Sequence, residues 1–378
     1  MSKPVQSPEK REVRLATFNV ENLLARFDFN DRKRNEDRVL RLYEFEDEQE
    51  YEDAERARMI ASTDDQRQHS ALAIADTDAD IVCLQEVENL ETLEAFEYGY
   101  MYRMLGWGYR TKVWRKGNDK RGIDVALMAR ERTRAGEPIE IVRIESNRTL
   151  SYGEAGLFEE ILPGRIQHPN ERVFRRDLLE VHLTIGGTPL TIYITHLKAM
   201  GSARDDEEGQ RVEGREWSMP VRMAEARAIR SIIERNHRPN HNWVICADLN
   251  DYGERIVING PREEPNFTPT LDPSPAIDLL MGDGFATNPV SMLPPLERWT
   301  LYHSAGPEVR HLCQLDYLLL SPALAQANEG RLPTIVRAGQ PYRTPLPPGT
   351  RTERYPRVGW DRPKASDHCP VAMTVRLT

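Results

Sequence analysis

The chain has 378 residues, of which 39% are hydrophobic and 29% charged, and its formal net charge is −9. That composition can bury a sizeable core, and no run approaches the ~18 apolar residues needed to cross a bilayer. The acidic balance argues against a protein that grips nucleic acid by charge alone, and an acidic protein acting on phosphate anions needs a local cation.

Residues 1–11 are polar and charged and are expected to form a flexible tail before one domain over 12–378. This start lacks the apolar stretch of a secretory signal, which gives the expectation of a cytoplasmic protein or a processed secreted one. Short β-branched runs bounded by polar or turn residues read as buried strands at 13–20, 80–85, 124–129, 139–144, 178–185, 190–196, 243–247, 315–320 and 370–375. Residues 31–65 are dense in both charge signs and read as a charged insertion holding a solvated helix. A helical pattern follows at 66–75, and a clearer one at 220–235, where Val221, Ala224, Ala228, Ile229 and Ile232 recur at helical spacing after Pro220. Residues 331–364 are rich in Pro and Gly and carry eight Lys or Arg against two acids, the pattern of a long basic loop. Many strands with few helices predict sheets packed face to face with helices outside. The four cysteines, Cys83, Cys246, Cys313 and Cys369, sit in or beside apolar runs without CxxC spacing, and read as reduced core residues.

Polar side chains recur where these strands end. Asn19, Glu86 and His196 close their runs, Asp248 and Asn250 follow 244–247, Asp316 opens 316–321, and Asp367 and His368 precede 369–371. Singly, an Asn or Asp at a strand end is a turn former, and a lone His is a satisfied polar group. Together they supply hard oxygen ligands, carboxylates and two imidazoles, the inventory for Mg²⁺- or Mn²⁺-assisted attack on phosphorus.

The segments Thr17-Phe18-Asn19-Val20-Glu21-Asn22, Gln85-Glu86-Val87, Thr195-His196-Leu197, Ala247-Asp248-Leu249-Asn250-Asp251, Leu315-Asp316-Tyr317 and Ser366-Asp367-His368 resemble the ordered motifs of the endonuclease/exonuclease/phosphatase superfamily. Arg121-Gly122-Ile123-Asp124-Val125-Ala126 is similar to a further feature of a bacterial branch of nucleases. Ala247 stands where the family often has glycine. The resemblance implies an α/β (α+β) fold: a four-layer α/β sandwich of two mixed β-sheets packed face to face with flanking helices. It also implies Mg²⁺ or Mn²⁺ held by Glu86, with Asn19 and Asp367 contributing. His368 would contact the scissile phosphate, with Asp316 orienting its imidazole. Asp248 would position or deprotonate the attacking water, or protonate the leaving group. Asn250 and His196 would donate hydrogen bonds to phosphate oxygens.

Substrate choice lives in loops. The basic loop leads into Ser366-Asp367-His368 and offers Tyr342, Tyr355 and Trp360 for stacking on bases; a merely solvated loop is the alternative. Arg121, Trp299 and Tyr355 are the candidate substrate contacts, core packing being the other reading of Trp299. The charged segment 200–215 reads as a flap at the site rim. These features favour a phosphate-ester substrate, nucleic acid first. A small-molecule or lipid-head-group phosphatase or phosphodiesterase is the alternative, and a catalytically silent binding module the third.

Overall fold

The computed structural model describes residues 11–24, 63–159, 168–201, 204–205, 211–238, 240–305 and 309–378. The expected tail and most of the charged insertion lie outside these residues, as does much of the expected flap.

In chain order the strands are β1 (Glu12–Leu23), β2 (Ile81–Val87), β3 (Thr111–Trp114), β4 (Asp124–Ala129), β5 (Ile139–Ser146), β6 (Leu178–Ile185), β7 (Thr188–His196), β8 (Arg204–Asp205), β9 (Arg211–Val212), β10 (Trp243–Asp248), β11 (Glu254–Asn259), β12 (Asn266–Leu271), β13 (Leu301–Ser304), β14 (Arg310–Cys313), β15 (Asp316–Leu320), β16 (Thr334–Ile335) and β17 (Val371–Arg376). All nine expected runs are strands. One mixed sheet has the order β16-β17-β1-β2-β4-β3 and the other β15-β10-β7-β6-β5.

Alternation along each strand sends one set of residues between the sheets and the other outward. Leu15, Cys83 and Leu127 of the first sheet meet Val181, Ile192, Val244 and Leu318 of the second in one buried cluster. Outward, Phe18, Val82 and Leu84 pack with Ala71 and Ile74 of the helix Asp64–Thr77. On the far side, Tyr193, Ile245 and Ala247 pack with Ile229 and Ile233 of the helix Gly214–Asn236. The four-layer sandwich is therefore present. A smaller sheet, β12-β11-β14-β13, lies outside the two main ones. The four cysteines are buried and unpaired.

The long helix corrects one expectation. It begins at Gly214, so Pro220 sits inside it rather than at its start. Pro220 has no amide hydrogen for the Glu216 carbonyl four residues back; in the turn before it Ser218 Oγ donates to the Gly214 carbonyl at 2.5 Å, and Arg222 Nη2 to that of Arg215 at 2.6 Å. Arg222 is fully buried and lies 3.4 Å from Asp251, which also accepts from Arg215 Nε at 2.8 Å and from Ser274 Oγ at 2.9 Å. Asp251→Ala would leave the Arg222 guanidinium buried without its carboxylate. Urea denaturation of this variant should show a loss of roughly 3–5 kcal/mol.

Strand register sets up the site. β1 and β2 run parallel, as do β7 and β10, while β15 is antiparallel to β10. In the first sheet, Asn19 pairs with Gln85, the residue before Glu86, at the point where the β1–β2 register becomes irregular. In the second, Asp248 stands directly between His196 and Asp316 in cross-strand register.

Candidate active site

Four residues at these strand ends take left-handed backbone conformations although none is glycine: Glu21 (φ 51°), Asn22 (φ 60°), Glu86 (φ 68°) and Asn250 (φ 49°). Each such residue costs about 1–3 kcal/mol, and such strain gathers at functional sites. Glu86 is turned out of the ladder, and the backbone amide of Asn22 donates to its Oε2 at 2.9 Å.

The two sheets meet through Asp248. Asn19 Nδ2 donates to Asp248 Oδ2 at 2.9 Å, and the backbone amide of Asn250 donates to Oδ1 at 2.8 Å. The same Oδ2 lies 3.4 Å from His196 Nε2 and 3.8 Å from His368 Nε2. Burial pushes the Asp248 carboxyl up to about 7; His368 opposes the shift and Asp316 adds to it.

His368 Nδ1 lies 2.9 Å from Asp316 Oδ2. Burial disfavours its charged form, but Asp316, Asp248 and Asp367 together raise the imidazole well above its usual range. His196 is the opposite case: burial, then Arg176 and His368, drives it well below that range. The site thus holds one cationic and one neutral imidazole on either side of a carboxyl group. His196 Nδ1 and Asp316 Oδ1 are buried without a hydrogen-bond partner.

Glu86 is raised by burial and then by Asp367, with His368, Arg176 and Arg121 opposing. Glu21 is pushed up to about 7 by burial and Asp367, despite Lys364 at 3.0 Å and Arg362 at 2.8 Å. Carboxylates crowded in this way are relieved by a cation. Glu86 and Asp367, with the Asn19 amide oxygen, offer the hard oxygen donors that suit Mg²⁺ or Mn²⁺.

Not every expected residue is used as foreseen. Asn250 Nδ2 donates to the Leu197 carbonyl at 3.1 Å, so half of its expected donor capacity is already engaged. Arg121 pairs with Asp119 at 2.9 Å. Trp299 is only 1% exposed, packs with Ile256 and Leu312, and lies under Arg337; it is a core residue and not a stacking platform. Tyr355 is half-buried: its hydroxyl donates to Asp76 at 2.7 Å and its ring packs against the first sheet's outer cluster. The basic loop is ordered by its own charges. Arg362 and Lys364 reach Glu21, Arg343 reaches Asp361, and Arg337 and Arg354 donate to backbone carbonyls. Tyr342 and Trp360 remain exposed, on segments joined by backbone hydrogen bonds from Tyr342 to Gly359 and from Arg343 to Trp360.

Three residues that pattern reading did not single out hold the site together. Gln340 Nε2 donates to the carbonyls of Ser366 and His368, each at 3.1 Å. Thr300 Oγ1 accepts from the amides of Leu315 and Asp316, and its carbonyl accepts from Cys369. Buried Arg176 lies 3.0 Å from Asp119, and its Nη1 donates to the Leu197 carbonyl at 2.8 Å. Its clearest sequence signal is the run Arg175-Arg176-Asp177 immediately before an apolar strand.

The family model for the Endonuclease/Exonuclease/phosphatase family matches residues 16–368. The chain belongs to this family. The fold is that of the family's phosphoesterases. An endonuclease/exonuclease/phosphatase family protein from Bacteroides thetaiotaomicron is 12% identical, with a TM-score of 0.50, covering 98% of this chain and 97% of that one. TDP2 from C. elegans is 13% identical, with a TM-score of 0.49 and coverage of 98% and 78%. The human Nocturnin catalytic domain with bound sulfate anion is 14% identical, with a TM-score of 0.48 and coverage of 97% and 95%. No curated protein matches the sequence. No helix among the described residues is long and apolar enough to cross a membrane.

Proposed function

We propose that this family member is a Mg²⁺- or Mn²⁺-dependent phosphodiesterase, most readily a nuclease. The observation that carries the reading is Asp248 Oδ2 set 3.4 Å from His196 Nε2 and 3.8 Å from His368 Nε2, with Asp367 close enough to Glu86 to raise the Glu86 carboxyl. A bound divalent ion would supply Lewis-acid stabilisation of charge on the phosphoryl oxygens. Glu86, Asp367 and Asn19 are the residues to hold it.

The remaining steps belong to the chain. His368 donates from Nε2 to a nonbridging oxygen as negative charge grows in the five-coordinate transition state, and Asp316 keeps its ring charged and oriented. Asp248 handles one proton: ionised, it takes that of the attacking water; protonated, it delivers one to the leaving oxygen. A carboxyl poised near neutrality suits either duty. Asn19 and the Asn250 amide, one on each oxygen, hold the Asp248 carboxyl in place for this work. His196, unable to charge, offers a neutral hydrogen-bonding partner without adding repulsion to His368. Asn250 retains one amide proton for a phosphate oxygen, and Arg121 lends positive potential.

Trp360 and Tyr342 support a nucleic-acid substrate. Both rings are exposed, with Arg262 lying 5.5 Å from the first and Arg354 4.7 Å from the second. Alternating ring and guanidinium surfaces suit unpaired bases on a phosphate backbone. The acidic net charge and the internal pairing of most loop arginines favour a second reading, a small-molecule or lipid-head-group ester.

A substrate panel with Mg²⁺, Mn²⁺ or EDTA separates them. Plasmid DNA, single-stranded DNA, RNA, bis-p-nitrophenyl phosphate and p-nitrophenyl phosphate are the substrates. The expected result is metal-dependent cleavage of diesters but not of the monoester. Trp360→Ala should raise KM for an oligonucleotide by about 5- to 150-fold, the worth of ~1–3 kcal/mol of stacking, with bis-p-nitrophenyl phosphate unaffected. Cleavage of the monoester alone points to the second reading, and no turnover of any ester to a silent binding module.

A further inference from the structure

A second constellation lies on the outer face of the second sheet. The edge strand β5 pairs with β6 in a register that shifts once, between Ile141 and Arg143. Before the shift, Ile139 and Ile141 stand opposite Ile185 and Leu183 and pack in the inter-sheet core. Simple alternation would send Arg143 and Glu145 inward after them. The extra residue Val142, 68% exposed, resets the alternation. Ile144 now packs inward, while Arg143 stands opposite His182 and Glu145 opposite Glu180 on the outer face. Like charges directly opposite on neighbouring strands repel, so this register calls for a cation.

The donor atoms converge. One oxygen from each of Glu145 and Glu180 and one nitrogen of His182 all lie within 4.8 Å of one another. His182 Nε2 is 3.7 Å from Glu145 Oε2 and 3.5 Å from Glu180 Oε2. Around a tetrahedral zinc ion with ligand distances of ~2.0–2.2 Å, donors stand ~3.3–3.6 Å apart. A second layer holds these groups, as metal ligands require. His182 Nδ1 contacts Thr191 Oγ1 at 3.1 Å, and buried Glu180 accepts from Asn147 Nδ2 at 2.8 Å and Asn236 Nδ2 at 3.3 Å. With Nδ1 donating to Thr191, Nε2 presents its lone pair to the two carboxylates. Asn236 also ends the long helix, whose C-terminal dipole favours a cation.

Arg143 is the neighbouring cation. Its Nη1 is 3.1 Å from Glu145 Oε1 and its Nη2 3.3 Å from His182 Nε2, yet its side chain is 58% exposed and can swing out. We propose that Glu145, Glu180 and His182 form a zinc-class metal site, separate from the catalytic centre, in which Arg143 stands in for the ion. The imidazole selects zinc or a similar transition ion over Mg²⁺. Thr191, paired with His182, lies five residues before His196 on β7, on the order of 16 Å along the strand.

Calorimetric zinc titration of the full chain tests this. Glu86→Gln is the background, removing the carboxylate expected to anchor the catalytic metal. The expected result is a zinc site that persists in Glu86→Gln and is weakened at least about tenfold by adding His182→Ala. Adding Arg143→Met instead should tighten it about tenfold, because a neighbouring positive charge is removed. That gain cannot arise from misfolding. Absence of zinc binding in the Glu86→Gln chain, or affinity unmoved by both added substitutions, would overturn the site and leave a surface polar cluster of Arg143, His182 and the two glutamates. Neither outcome depends on whether the chain cleaves phosphodiesters.

Discussion

His368→Ala should reduce kcat on a diester by about 10²–10³-fold, the effect of removing one preorganised donor to a developing oxyanion. Asp316→Asn should produce part of the same loss. It keeps the shape of the side chain but removes the charge that holds the imidazole protonated, 2.9 Å away. The double variant should be little worse than His368→Ala, because the two residues act as a unit. Losses that add fully would show that Asp316 acts independently of the ring. Steady-state kinetics on bis-p-nitrophenyl phosphate with all four proteins makes the comparison.

The second large effect is expected at Glu86. Glu86→Ala should reduce turnover by at least about 10³-fold at saturating substrate, since a positioned metal stabilises the transition state by several kcal/mol. The fold should not suffer. Glu86 is a half-buried carboxylate raised by desolvation and by Asp367, and its backbone is in a left-handed conformation at φ 68°. Removing that charge relieves repulsion, so the metal-free variant should melt no lower than the metal-free wild type. Loss of activity with an unchanged or raised Tm separates a functional role from a structural one. A folded variant that keeps wild-type turnover would remove Glu86 from the site.

The main sandwich was legible because its strands are buried and therefore written in β-branched and aliphatic runs. Several strands that pattern reading missed lack that signature, although β11, which was also missed, carries it in Ile256, Val257 and Ile258. β12 is largely exposed and contains Pro269, β3 has four residues, and β13 and β14 carry His303, His311 and Arg310 in a peripheral sheet. Pro220 misled for a related reason. Proline marks a helix start locally, but the turn that precedes Pro220 is helical too, and the helix begins at Gly214.

In the site, the strand-end residues were legible because their chemistry is unusual for their position. Gln340, Thr300 and Arg176 were not, because each acts through main-chain groups or ion pairs that only the folded chain brings near. Trp299 shows the converse: an aromatic beside a motif residue is ambiguous in sequence, and burial decides it. The basic loop gave the right charge and irregularity, but its arginines and lysine largely bind the protein itself.

All of this requires that the ends of the two sheets share one metal-binding phosphate site. Anomalous diffraction from crystals grown with Mn²⁺ addresses it directly. The account predicts a peak at roughly 2.0–2.6 Å from a Glu86 carboxylate oxygen, with Asp367 and His368 lining the same cavity. A fully occupied Mn²⁺ bound elsewhere, with none at Glu86, would contradict it.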